Sequence, residues 1–359
     1  MRQAIALLGR KDVPTDAVEE YCRYLSDALQ PHEFQMQIRR VPWELHGWRQ
    51  SLRALHLQSV AWRDTWVLVQ YTALAWSARG FPLKFPRVLR ILKSAGARVA
   101  VVFHDVEPFS SPRLIDRLRH RVQSRTMRRA LDLADLAIFT VPPERLSWLE
   151  KIPSNATFIP VGPNLPFPET TTTRSGGDLL TVGVFSITGG EQGARETKQI
   201  LAAVQHAAQK LGRIRLSVFG RHSELREEVL RQGLQNLPVE LSVEGVVEPR
   251  QVVNRLAACD VLLFVRNGIS TRRGSAIAGI AAGLPVIAYP NSETAPPITE
   301  AGVVLVNPGD PGKLNDALVQ VLSDANVRAE LSARSRAAYK AHFAWPAIAG
   351  RYAVLLNSR

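Results

Sequence analysis

The feature that most constrains this chain is an alternation of short apolar runs and amphipathic stretches that stops once and then restarts. Apolar runs fall at residues 4–8, 66–70, 98–103, 136–141 and 157–161, with helical patterns between them. Phe34, Met36 and Ile38 alternate with polar residues, as in a half-exposed strand. Short continuous strands separated by helices predict a parallel sheet covered on both faces. The alternation breaks at residues 163–177, which hold Pro163, Pro166, Pro168, the run Thr170 to Thr173, and Gly176 and Gly177. Such a composition packs no core and reads as a linker. Strand candidates resume at 179–185, 214–219, 239–243, 261–265, 285–288 and 303–306, with helices such as 196–211 and 251–259 between them. Residues 310–356 are helical in pattern. The expected class is α/β, with an N-terminal domain over 1–165, a linker over 166–177 and a second domain over 178–342.

At 359 residues the length suits two domains, and 46% hydrophobic residues exclude a disordered chain. Cys22 and Cys259 are the only cysteines, which excludes a disulfide scaffold and a Cys-rich zinc site and fits a reducing compartment. The best apolar run, 276–289, is too short to span a membrane and is broken by Gly279, Gly283 and Pro285. The N-terminus does not read as a signal peptide, because residues 4–8 are followed at once by Arg10, Lys11 and Asp12. The balance of 45 Lys+Arg against 32 Asp+Glu leaves +13. That excess suits nucleic acid, an anionic membrane surface or anionic small substrates.

The sharpest local signal is Gly268-Ile269-Ser270-Thr271-Arg272-Arg273-Gly274-Ser275, which follows an apolar strand and opens a helix of small residues. Glycines permit close backbone approach, a helix start offers unpaired N–H groups, and Arg272 and Arg273 offer forked donors to phosphate oxygens. The pattern reads as a pyrophosphate cradle. A tight turn with solvated arginines is the alternative. Gly189, Gly190 and Gly193 form a weaker Gly-rich loop of the same kind. Asp16 and Glu19 match a capping box ahead of a helix.

Ala281-Ala282-Gly283-Leu284-Pro285-Val286-Ile287-Ala288 resembles a segment of the family 4 retaining glycosyltransferases (glycosyltransferase group 1) of the GT-B fold. Phe219-Gly220, the loop Val243-Glu244-Gly245-Val246-Val247, the strand within 257–265, Val306-Asn307-Pro308-Gly309-Asp310-Pro311 and Phe343-Ala344-Trp345 resemble further family segments in the same order. The likeness covers nearly all of 179–356, whereas the first half is similar only in outline. It implies two Rossmann-like domains facing a cleft, with a last helix (343–359) that crosses back to the first domain. It also implies a nucleotide-sugar donor on the second domain, Gly245 and Val246 by the base, and Ser270, Arg272, Arg273, Gly274 and Ser275 by the pyrophosphate. The family's two glutamates fall on Ser270 and Ala278, and neither position is acidic. Its Gly-Arg pair is missing, since Val184 follows Gly183, and its neighbouring lysine falls near Arg195 after a loop over 186–194. Rearranged donor chemistry is the expectation, with Arg195 adding a charge.

His104, with Asp105, follows the strand at 98–103, where open α/β sheets bind ligands. His104 and Arg195 are therefore the candidate catalytic residues, and the loop Gly9-Arg10-Lys11-Asp12 faces the same side. Arg113, Arg117, Arg119, Arg121, Arg125, Arg128 and Arg129 interleave with Leu114, Ile115, Leu118, Val122 and Met127, and Trp43, Trp48, Trp62, Trp66 and Trp76 crowd the same half. This combination suits an anionic membrane surface. A solvated helix packing its apolar stripe on the sheet is the alternative. No nucleic-acid-binding pattern, P-loop or metal-ligand spacing is present. The resemblance thus implies a glycosyltransferase in polysaccharide biosynthesis, read here as metal-independent and cofactor-free. It would move sugar from a nucleotide sugar to a glycan or lipid-linked acceptor, with retention, in the cytoplasm or on the inner membrane face. A non-catalytic nucleotide-sugar binder or partner subunit is the alternative, and a sugar-nucleotide epimerase is a third.

Overall fold

The computed structural model describes residues 1–13, 15–168 and 179–358. The threonine run and Gly176–Gly177 of the expected linker lie outside the described residues. Contacts divide the chain into one unit of Met1–Val161 with Trp345–Arg359 and a second of Gly162–Ala344.

The first unit runs β1 (Arg2–Leu8), α1 (Ala17–Leu29), β2 (Phe34–Arg40), α2 (Trp43–Ser59), β3 (Trp66–Tyr71), α3 (Phe85–Ser94), β4 (Arg98–Phe103), α4 (Leu114–Leu133), β5 (Leu136–Phe139) and β6 (Ala156–Phe158). Its six strands pair in parallel in the order β2-β1-β3-β4-β5-β6. From Val99 to Phe103 every β4 side chain is fully buried, because helices cover both faces of the sheet. β2 sits at the edge, so Phe34 and Met36 are buried while the residues between them are exposed. In α3, Phe85, Val88, Leu89 and Leu92 recur at helical spacing and bury one face against the sheet.

The second unit runs β7 (Thr181–Phe185), α5 (Gly190–Leu211), β8 (Ile214–Phe219), α6 (Glu227–Leu234), β9 (Val239–Val243), α7 (Pro249–Ala257), β10 (Val261–Phe264), α8 (Gly274–Ala281), β11 (Val286–Ala288), β12 (Val303–Leu305), α9 (Pro311–Ser323) and α10 (Ala325–Ala338). Its sheet is also parallel, in the order β12-β11-β10-β7-β8-β9. Gly183 lies where a Cβ would come 2.6 Å from the buried Cys259 Sγ, so close packing under β7 requires glycine there. The last helix, α11 (Trp345–Asn357), packs in the first unit. Tyr352 meets Tyr21 of α1 through a 2.9 Å hydroxyl contact, and Trp66 Nε1 donates to the Leu356 carbonyl at 3.0 Å.

Three local expectations need correction. Asp16 does cap α1, accepting from the Val18 and Glu19 amides, but the Glu19 carboxylate pairs with Arg23 and Arg40 instead of returning to the cap. The stretch at 186–194 is not one long loop, since α5 already starts at Gly190. Of the crowded tryptophans, Trp62, Trp66 and Trp76 are core residues, and Trp76 Nε1 donates to the Gln70 carbonyl.

Candidate functional site

All strands of the second sheet run the same way, so the loops after β7, β8, β9 and β10 gather at one end, where open α/β sheets receive ligands. Two helices begin there. At α5, a Cβ on Gly193 would fall 1.8 Å from the Thr188 carbonyl oxygen, so glycine lets the first turn press onto the β7 loop. The buried Glu196 fixes that loop by accepting the Thr188 amide at 2.8 Å. No side chain caps α5 or α8, and a Cβ on either first residue, Gly190 or Gly274, would meet no atom within 4 Å. Both helix starts therefore present first backbone N–H groups without a side-chain cap, at the positive end of a helix dipole.

Arg266 lies between these helix starts. Its Nε reaches Thr188 Oγ1 and its Nη1 reaches Ser275 Oγ, both at 3.4 Å. Burial strips the guanidinium of water and pulls its pKa below the ordinary value; Glu196 opposes the shift and Arg221 adds to it. Arginine stays protonated through such a shift. The result is a partly desolvated positive charge between two open helix starts.

The predicted residues divide into two groups. Gly274 and Ser275 stand at the start of α8, with Arg273 immediately before it. Gly245 and Val246 follow β9; Gly245 accepts the Gly220 amide at 2.9 Å, and Val246 is 59% exposed. Arg272 and Ser270 do not point to a free phosphate site. Arg272 makes a two-armed pair with Glu293, Nε to Oε2 at 2.8 Å and Nη2 to Oε1 at 2.7 Å, and the buried Ser270 hydroxyl donates to the same carboxylate at 2.9 Å. Burial pushes the Glu293 carboxyl up, but Arg272 and Ser270 outweigh it and hold it below the usual range. Arg195 is likewise corrected. It lies within α5, its side chain 70% exposed, 3.7 Å from Glu191 one turn back.

Sequence reasoning missed Arg266 and Glu293. Arg266 had a readable signal, since it is the first polar residue after the β10 run. Glu293 had none, because it lies 21 residues from Arg272 and a fold alone brings the two together.

In the first unit, His104 leaves β4 half-buried. Its Nε2 lies 2.8 Å from Gln70 Oε1, and its ring meets Tyr21 edge-on with centroids 5.0 Å apart. Asp105 accepts the Ala73 amide at 2.7 Å. Gln70, Thr72 and Asp105, with Gly9, Arg10 and Asp12 of the β1 loop, line a polar cavity of about 240 Å³. A Cβ on Gly9 would lie 2.2 Å from the Ala75 carbonyl oxygen, so that loop also depends on glycine.

Residues 178–324 match the family model described as Glycosyl transferases group 1. That segment is similar to the group 1 glycosyl transferases. A curated relative of the domain is the GDP-mannose-dependent monoacylated alpha-(1-6)-phosphatidylinositol monomannoside mannosyltransferase of Corynebacterium glutamicum, 28% identical over 138 residues. The match covers 37% of this chain and 36% of that protein. Among solved structures, Anabaena Alr3699/HepE in complex with UDP and glucose superposes with a TM-score of 0.66 at 14% identity, covering 100% of both chains. WaaG, a glycosyltransferase involved in lipopolysaccharide biosynthesis, superposes at 0.62 and 14% identity over 99% of this chain and 100% of its own. The chain thus has the GT-B fold expected from the sequence.

Proposed function

We propose that this chain is a glycosyltransferase that moves a sugar from a nucleotide-sugar donor to a glycan or lipid-linked acceptor, with retention at the anomeric carbon. The observation that carries this reading is Arg266 between the open starts of α5 and α8. A partly buried cation beside two helix N-termini calls for an anion, and a departing nucleoside diphosphate supplies one. Donors fixed before the reaction stabilise the charge that develops on that leaving group without reorganising. Arg273, Gly274 and Ser275 would share the task, with Gly245 and Val246 beside the base. Because cations and helix dipoles answer the phosphate charge, the transfer is read as metal-independent and needs no cofactor. His104 and the polar cavity next to it would meet the acceptor.

A non-catalytic nucleotide-sugar binder is the second reading, and Ala278 favours it, since no acid stands there. Against it, a carboxylate reaches the other family position after all, because Glu293 lies one hydrogen bond from the Ser270 hydroxyl. The two readings separate on turnover. The protein is incubated with UDP-, GDP- and ADP-sugars, and release of nucleoside diphosphate is measured with and without EDTA, alongside thermal shifts. The transferase reading expects one base to stabilise the fold and its sugar to be consumed, with EDTA making no difference. Binding without turnover in the presence of glycan and lipid-linked acceptors selects the binder. No stabilisation by any nucleotide rejects both.

The acceptor reading extends to an anionic membrane surface as the place of work, at the inner face of the membrane. No helix among the described residues is long and apolar enough to cross a membrane, so attachment would be peripheral.

A further inference from the structure

The first unit carries two grooves with a common wall. One, of about 540 Å³, lies between α2 and α3 and is lined by Trp48, Arg49, Arg53, His56, Lys84 and Arg87, among others. The other, of about 390 Å³, lies between α3 and α4 and is lined by Leu83, Lys84, Arg87, Arg90, Arg125 and Arg129, among others. Neither lining includes an acid. From Leu45 to His104 the only acidic residue is Asp64. None of these arginines, nor Lys84, has an ion-pair partner among the described residues. By contrast, the neighbouring Arg119 and Arg128 of α4 do have partners, Asp116 and Glu150. The unpaired cations therefore converge on Lys84 and Arg87, at the start of α3.

We propose that this face of α2, α3 and α4 docks the protein on an anionic lipid bilayer. The proposal rests on the reading of a membrane as the place of work and names the surface that would meet it. The charge extends over three helices without a closed pocket, as suits a charged plane better than a single headgroup. Apolar side chains stand among the cations. Leu83 in the α3–α4 groove is 67% exposed. Leu114 and Leu118 are 80% and 52% exposed, and they continue the α4 stripe that runs through Val122, Arg125 and Arg129 into that groove. Leucines interleaved with arginines gain from entering the headgroup boundary, which a nucleic acid or a soluble phosphate does not offer. The basic stretch noted in the sequence is thus only one wall of the surface. The rest comes from α2 and α3, which lie apart from it in sequence.

The test uses the full chain and vesicles of phosphatidylcholine with or without about one-third phosphatidylserine, a composition that carries a strong negative surface potential. The expected result is co-sedimentation with the anionic vesicles only, lost at high salt. Lys84→Glu with Arg87→Glu should weaken binding by about tenfold or more, since each cation near such a surface contributes to attachment. Leu83→Asp should also weaken binding at low salt, because it removes an apolar contact with the headgroup boundary and adds a negative charge. Lys210→Glu with Lys313→Glu makes the same change in net charge on the second unit and should leave binding intact. Absence of binding to anionic vesicles, equal binding to neutral ones, or an equal loss in the Lys210/Lys313 variant overturns the proposal. So does tighter binding of single-stranded RNA at equal phosphate concentration. Nucleoside diphosphate binding by the same variants is expected to stay unchanged. A failed donor reading would therefore show as lost nucleotide binding in the unaltered protein, whatever the vesicles report.

Discussion

The two units handle charge differently where their first helices meet the sheet. In the first unit the start of α1 is closed from within. Asp16 caps it, and Arg40 joins Asp16 at 2.7 Å and also pairs with Glu19, so the cation and the helix dipole both face carboxylates of the chain itself. In the second unit α5 and α8 have no capping side chain, and Arg266 stands between them with hydroxyls at 3.4 Å as its hydrogen-bond partners and the Glu196 carboxylate acting on its charge without a hydrogen bond. The same secondary structure thus serves two purposes. Where the protein supplies the anion, the helix start is a structural joint. Where no side chain caps it, the helix start is available to a ligand.

The largest expected effect tests the open side of this comparison. Arg266→Ala should reduce nucleoside diphosphate affinity by roughly tenfold to a hundredfold, the worth of a charge-assisted hydrogen bond in a partly dry site. Calorimetric titration with UDP and GDP measures it, and an unchanged affinity would remove Arg266 from the donor site. Next in size, Glu293→Ala should destabilise the fold by about 2–4 kcal/mol, because it leaves Arg272 partly buried without its counter-charge. Chemical denaturation checks that value, and Arg272→Met in the same background should restore part of the loss.

Acid sharpens the contrast. Glu293 is held below its ordinary 4.5, as Arg272 and Ser270 outweigh burial. A depressed folded pKa gives stability that is fully present above the unfolded value and lost as pH falls through the folded one. The melting temperature should therefore fall more steeply below about pH 5 in the unaltered protein than in Glu293→Gln. Asp16 is also held low, with Arg40 and the backbone amides outweighing burial. Asp16→Ala should cost about 1 kcal/mol as a lost cap, somewhat more with Arg40 unpaired, and leave nucleotide affinity unchanged. The smallest effect is expected at Arg195→Ala. Its exposed pair with Glu191 contributes little, so nucleotide affinity should stay within experimental error. A large loss there would return Arg195 to the site.

Much of this was legible in the chain. The apolar runs became strands within three residues at either end, because a strand buried on both faces leaves an uninterrupted apolar record. β4 shows this from Val99 to Phe103. The helix start at Gly274 is marked by the loop and small residues around it, whereas the sequence pattern puts the start of α5 at 196 and it lies at Gly190. What could not be read was which arginine is neutralised. Arg272 and Arg273 look alike in sequence, and Glu293, the residue that engages Arg272, sits in a different loop.

The sequence by itself determined the α/β class, the short strands buried on both faces and the helix start at Gly274, because each depends on neighbours within a few residues. Only the tertiary structure decided the balance of charge. It gave Glu293 to Arg272 and Ser270, left Arg266 between two uncapped helices, and joined Arg49, Arg87 and Arg125 into one surface. Electrostatic partners are chosen by distance in space and by burial, and neither is written in local sequence.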